Sequence, residues 1–274
     1  MALKLGVIVS LAEGPEAAIE NVAAFDLPSC QVSCWNVDLY TDTNAARLRG
    51  AADAARVQIT TLWAGWPGRK VWNFVEGPTT IGVVPPETRA ERILALKRGA
   101  DFARAVGVPS ITTHVGFIPE NPSDTLYHEV VEALRDVAGY CRDRGLQFWF
   151  ETGQETPITL LRVVEDVGTG NLGINLDPAN LLMYGKANPV DALDVIGHLV
   201  RGVHAKDGEY PTNGRELGVE KPLGEGRVNF PALIPKLRSH GFNGALTIER
   251  EIRGTQQAAD IKRAIELLRP LCDD

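Results

Sequence analysis

The chain has 274 residues, of which 44% are hydrophobic and 23% charged, with a formal net charge of −7. This composition fits a globular protein with a sizeable core, and the length fits one domain spanning 1–274. The acidic balance gives the whole molecule no attraction for nucleic acid or an anionic membrane, and no apolar run approaches the ~20 residues that span a bilayer.

Short apolar runs alternate with longer helical patterns along the whole chain. Strand one is read at Leu3 to Val9, and a helix from Pro15 to Ala24 follows, proline suiting the first turn. Strand two lies near Gln31 to Trp35, and Asp42 or Thr43 caps an Ala-rich helix running to Arg56. Strand three is Val57 to Trp63. The stretch from Ala64 to Pro86, with Trp66, Trp72 and Phe74, is long for a connection. It reads either as a wall over the functional end of the fold or as a cover for its rim. A long amphipathic helix spans Pro86 to Gly107, strand four is Ser110 to His114, and Ser123 caps a helix ending at Gly145.

From Leu146 onward the strands carry a second pattern. Four apolar runs end in Glu151, Asp177, His204 and Glu249, with helices from Pro157, Asn188, Pro231 and Thr255 between and after them. Eight strands and eight helices in alternation predict parallel strands with right-handed crossovers, and eight repeats favour a single-domain (β/α)8 TIM barrel, an α/β fold. An open doubly wound sheet is the structural rival, but no Gly-rich phosphate fingerprint follows an early strand.

In such a barrel the C-terminal strand ends converge over one mouth. One carboxylate at a strand tip reads as a helix cap, but four ligand-type residues in consecutive units read as a metal site. Glu151, Asp177, His204 and Glu249 form a mixed oxygen and nitrogen set for one divalent ion, and the excess of oxygen favours Mn2+ or Mg2+, with Co2+ or Zn2+ as alternatives. Cys30, Cys34, Cys141 and Cys272 lack zinc-binding or CxxC spacing. With no signal-peptide core at the start, they suggest reduced thiols in a cytoplasmic protein.

The whole chain resembles the xylose isomerase-like TIM barrel superfamily, in particular its sugar phosphate isomerase/epimerase branch. Phe150-Glu151-Thr152, Asn175-Leu176-Asp177-Pro178-Ala179-Asn180, Val203-His204-Ala205-Lys206-Asp207, Leu223-Gly224-Glu225-Gly226 and Thr247-Ile248-Glu249 carry the resemblance. The Glu, Asp, His, Glu order is similar to the metal set of ketose 3-epimerases, while Asn180 and Tyr210 stand where those enzymes have sugar-binding His and Arg. The resemblance implies a small carbohydrate substrate, no nucleic-acid or membrane partner, and a homodimer. It also implies proton transfer beside a carbonyl, with Glu151 and Glu249 as the catalytic acid and base. Elimination from a keto-sugar, keto-inositol or 3-oxo-glycoside is the rival enzyme reading, and a non-catalytic carbohydrate-binding subunit is a third. An endonuclease IV-like nuclease is disfavoured, since Asn180 replaces the His that recruits further metal there.

Around this set, His114 is read as hydrogen-bonding substrate or as a rim histidine, and Lys206 as binding an oxyanion or pairing with Asp207, Glu209 or a ligand carboxylate. Trp63 and Trp66 are read as stacking on a sugar or packing the rim. Asn180 and Arg250 complete the substrate-binding candidates, with Gln154 and Glu155 beside them. The Gly224-Glu225-Gly226 turn could admit a ligand to the backbone or be a plain turn.

Overall fold

Eight short strands pair in parallel, each with the next, until the last closes on the first. They are β1 (Lys4–Ser10), β2 (Ser29–Cys34), β3 (Gln58–Ala64), β4 (Ser110–Thr113), β5 (Gln147–Glu151), β6 (Leu172–Leu176), β7 (Val200–Ala205) and, closing the barrel, β10 (Ala245–Ile248). Between the last two lies a small antiparallel pair, β8 (Asp207–Gly208) with β9 (Glu220–Lys221). The computed structural model describes residues 2–273. The expected TIM barrel is the fold, and β3 to β7 are buried along most of their length, as strands covered on both faces must be.

The helices pack outside: α1 (Pro15–Ala23), α2 (Asp42–Ala55), α4 (Pro86–Val106), α5 (Thr125–Arg142), α6 (Pro157–Val167), α8 (Pro189–Ile196), α9 (Phe230–Ser239) and α10 (Thr255–Cys272). Two short ones, α3 (Gly77–Thr80) and α7 (Pro178–Met183), sit in loops at the mouth and add to the eight expected from alternation. Two caps differ from the sequence reading. Thr41 caps α2 by accepting from Asn44 N–H, and Asp124 caps α5 by accepting from Leu126 N–H, while Ser123 belongs to the preceding turn on Asn121. In each case the residue one position away has the extended backbone that a cap requires. All four cysteines are free and buried, and among the described residues no helix is long and apolar enough to cross a membrane.

The inside of the barrel is unusually polar for a core. The alternation of β5 turns Trp149 and Glu151 inward, where Gln31 of β2 and Asn175 of β6 meet through a 2.8 Å hydrogen bond. Glycines make the room. A Cβ on Gly202 of β7 would lie 2.5 Å from Asn175 Oδ1 and 3.1 Å from the Trp149 ring, and one on Gly173 of β6 would lie 2.7 Å from that ring.

Outside, Arg92 of α4 fixes the long loop after β3. It is fully buried and donates to the carbonyls of Pro67, Arg69, Thr80 and Gly82 at 2.7–3.2 Å, with the Trp66 ring 4.1 Å from its guanidinium carbon. Backbone groups of a loop cannot satisfy one another as a strand's do, so one planar five-donor side chain does it for them. Gly202→Ala tests the interior packing: it should lower the urea midpoint by the equivalent of roughly 1–3 kcal/mol with an unchanged slope.

Candidate metal centre

Glu151 is the last residue of β5, Asp177 follows β6, His204 is the penultimate residue of β7 and Glu249 follows β10. The barrel brings all four together. One donor atom from each lies within 4.8 Å of all the others, and the group is nearly excluded from solvent. His204 Nδ1 stands 3.0 Å from Glu151 Oε1 and 3.2 Å from Glu249 Oε2.

Each ligand-type side chain is oriented by a neighbour. The other ring nitrogen of His204, Nε2, lies 2.8 Å from Gln31 Oε1, and Gln31 Nε2 donates in turn to Asn175 Oδ1. A carbonyl oxygen can only accept, so His204 carries a proton on Nε2 and turns Nδ1 toward the carboxylates. Trp63 donates its indole N–H to Glu151 Oε2, and His114 Nε2 lies 3.3 Å from Glu151 Oε1. Asp177 caps α7 through Oδ1, which accepts from Asn180 N–H at 2.8 Å. Thr152 ties the tips of β5 and β6, its hydroxyl donating to the Asp177 carbonyl and accepting from the Asp177 N–H.

The charges are crowded. Burial by itself pushes the His204 imidazolium down, but Glu151 and Glu249 outweigh it and hold the imidazolium well above the ordinary histidine range. Burial pushes Asp177 up to about 8, against the pull of Lys206. Glu249 is held low because Lys206 and His204 outweigh its burial. Asp177 Oδ2 and Glu249 Oε2 are buried without a hydrogen-bond donor. Carboxylate oxygens that accept no hydrogen bond and meet cations only at 3.2–3.5 Å, beside an inward-turned imidazole nitrogen, are what a divalent cation would satisfy, so the donor set fits a metal.

Lys206 is the fixed cation of the site. Its Nζ lies 3.0 Å from Glu251 Oε2, 3.4 Å from Glu249 Oε2, 3.5 Å from Asp177 Oδ2 and 3.4 Å from Asn180 Oδ1. Of the partners considered from sequence it takes ligand carboxylates rather than Asp207 or Glu209. Glu209 pairs with Lys221 instead. Asp207 faces away and accepts four backbone N–H groups, from Gly208, Gly224, Gly226 and Val228, at 2.9–3.1 Å. The Gly224-Glu225-Gly226 turn is thus wrapped around Asp207 and offers no open backbone to a ligand.

A cavity of 1010 Å3 opens over the cluster, with Glu151, Glu249, His114 and Asn180 in its floor and Trp35, Trp63 and Trp72 in one wall. Trp66 is a correction: it is fully buried against Arg92 and does not line the cavity. Arg250 reaches the cavity edge, but its guanidinium is held by Glu220 at 3.0 Å and Asp260 at 2.8 Å. Tyr210 is half exposed and donates to the Gly185 carbonyl. Gln154 and Glu155 are buried outside the cavity wall, and burial pushes Glu155 up to about 8. Sequence reading gave no site role to Gln31, Asn175, Glu251 or Trp35, while Trp72 lies in the stretch read as a wall and faces the cavity. Gln31 had a signal, an amide within the buried run Ser29–Cys34, and Asn175 shares a face with Asp177 two residues on.

A family model described as xylose isomerase-like TIM barrel matches residues 19–271. The structure of a xylose isomerase domain protein from Planctomyces limnophilus is 37% identical, with 99% of this chain and 98% of that one covered at a TM-score of 0.93. An uncharacterized protein of Methanocaldococcus jannaschii is 25% identical over 286 residues, 97% of this chain and 90% of that one. A D-psicose 3-epimerase, solved in the presence of D-fructose, shares the fold at 17% identity and a TM-score of 0.72, with 98% and 99% covered. So do a magnesium complex of a Mycobacterium smegmatis barrel protein, at 14% and 0.70, and a probable 3-DHS dehydratase of Bacillus anthracis, at 16% and 0.67.

The protonation pattern gives a test. An ion must displace protons from His204 and Asp177, so its affinity should rise with pH through the Asp177 value of about 8, with proton release read by calorimetry in buffers of different ionisation enthalpy. The metal-free protein should behave oppositely. The stability that the raised His204 value contributes is full below its unfolded value and is lost as pH rises through the folded one. Gln31→Leu should weaken binding of the ion about 10–100-fold while leaving the circular dichroism spectrum unchanged.

Proposed function

This chain belongs to the xylose isomerase-like TIM barrel family, and on that premise we propose that it is a divalent-metal-dependent sugar isomerase or epimerase. The observation that carries the reading is the convergence of Glu151 from β5 and Glu249 from the end of β10 on His204 Nδ1, both lining a cavity large enough for a carbohydrate. Two carboxylates from well-separated strands suit removal of a proton from one position of a sugar and its return at another. Binding alone would need only one such group.

The site would hold one divalent ion, Mn2+ or Mg2+ by the predominance of oxygen donors, on Glu151, Asp177, His204 and Glu249. When bound, the ion would polarise a carbonyl oxygen and a neighbouring hydroxyl and stabilise an enediolate. Glu249 retains 12% side-chain exposure and is the more open of the two bases. Glu151 is held at Oε2 by the Trp63 indole, which leaves Oε1 toward the cluster.

The remaining groups bind and orient. Burial pushes the His114 imidazolium down, so the ring is neutral. With Nε2 turned toward Glu151 Oε1 at 3.3 Å, its unpartnered Nδ1 is an acceptor for a substrate hydroxyl. Asn180 lines the cavity and offers an amide to the same substrate. Lys206 stays protonated among carboxylates and opposes the negative charge that develops on the substrate.

With Mn2+ and a ketose substrate, Glu249→Gln should lower kcat by about 10²- to 10⁴-fold and abolish incorporation of solvent deuterium, with the ion still bound. Turnover unchanged in that variant would sink the proton-transfer assignment. A product lighter by one water would move the reading to elimination, which the fold shared with a probable dehydratase accommodates.

A further inference from the structure

The aromatic wall of the cavity extends well beyond anything that Glu151 and Glu249 require. It begins at Trp63, whose indole N–H holds Glu151, and passes to Trp35 at a centroid distance of 4.7 Å. At Trp72 it turns back: that ring stands 6.4 Å from Trp35 and edge-on to it, and 5.2 Å from the His114 ring beside Glu151. Trp35 and Trp72 are 37% and 38% exposed, and both face the same cavity as the metal cluster. Lys70 Nζ lies over the Trp35 ring, 4.6 Å from its centroid, and also lines that cavity.

This wall is built. Trp35 lies directly on Gly65, where a Cβ would come within 2.6 Å of the indole, so the ring's position is set by a glycine that leaves it space. Behind it, Trp66 and Arg92 are fully buried and hold the loop that carries Lys70 and Trp72. Part-exposed indole surface in a concavity, with an ammonium over one ring that can donate to hydroxyls, suits the apolar face and polar edge of a sugar ring. The cavity volume of 1010 Å3 lies at the upper end of the ~300–1,000 Å3 typical of ligand sites, and it is shared between the indole wall and a stretch lined by Asn21, Phe25, Gln257 and Ile261.

We propose that Trp35, Trp72 and Lys70 form a second sugar subsite, so that the substrate is a glycoside or disaccharide whose reacting ring lies over the metal cluster and whose second ring rests on the two indoles. The proposal rests on the carbohydrate reading of the site. It extends that reading from a free monosaccharide to a larger class.

Calorimetric titration of the Mn2+-loaded protein with a panel of disaccharides (cellobiose, maltose, lactose and xylobiose) against their constituent monosaccharides tests it. At least one disaccharide should bind tighter than its monosaccharides, and Trp35→Ala and Trp72→Ala should each weaken that disaccharide roughly tenfold. Trp72→Phe should recover most of the loss, which separates stacking from misfolding. If no disaccharide gains over its monosaccharides, or if the gain survives both alanine substitutions, the subsite is overturned. If the alanine variants instead change the sedimentation coefficient and not sugar binding, the indoles belong to an interface between copies and the subsite is likewise overturned. A parallel Mn2+ titration reads the metal site independently, so failure there would remove the proposed reaction without deciding the subsite.

Discussion

Three carboxylates held within a few ångströms of one another in a nearly dry barrel mouth are the constraint to which the rest of the site answers. The closed ring of parallel strands fixes where the tips of β5, β6, β7 and β10 point, so the side chains there cannot relax apart. Their repulsion must be met locally. It is met by the ammonium of Lys206, by the proton on His204 and by the proton that burial keeps on Asp177. A divalent ion would replace the two protons with one compact charge, and with Lys206 it would balance the three carboxylates.

Much of this was legible from residue order. Glu151, Asp177, His204 and Glu249 each interrupt an apolar run at its end, and a strand tip is the position where period-2 burial gives way to the mouth. The identities of their supports were less accessible. Gln31 and Asn175 meet across the barrel interior, 144 residues apart, and alternation on one strand cannot say which inward residue will face which. Loop chemistry was harder still. Lys206 and Asp207 are neighbours with opposite destinations, one into the cluster and one into a ring of backbone amides, and their spacing carries no sign of it.

The tryptophans show the same limit from another side. Trp66 and Trp72 occupy one loop, yet one is buried and the other faces the cavity. The difference is made by Arg92, a residue that on the sequence looks like any exposed cation on an amphipathic helix. Only the fold reveals that its side chain points under the loop instead of into water. The mouth thus has two unlike halves. Strands β5 to β10 supply charge, and the ends of β2 and β3 with the following loop supply aromatic surface.

Arg92 also has a dynamic consequence. Four carbonyls gathered on one guanidinium leave the loop little conformational freedom to lose, so a ligand meeting the aromatic wall pays almost no ordering entropy there. The gain in binding removes a means of escape, since a wall locked in place cannot swing aside for product. Another segment near the mouth is held less firmly: the mostly exposed stretch 210–216, next to Leu217 of the cavity wall, is tethered chiefly through Tyr210. On the proposed carbohydrate reading, the rigid side would set what is recognised, and the loosely held side how fast it leaves.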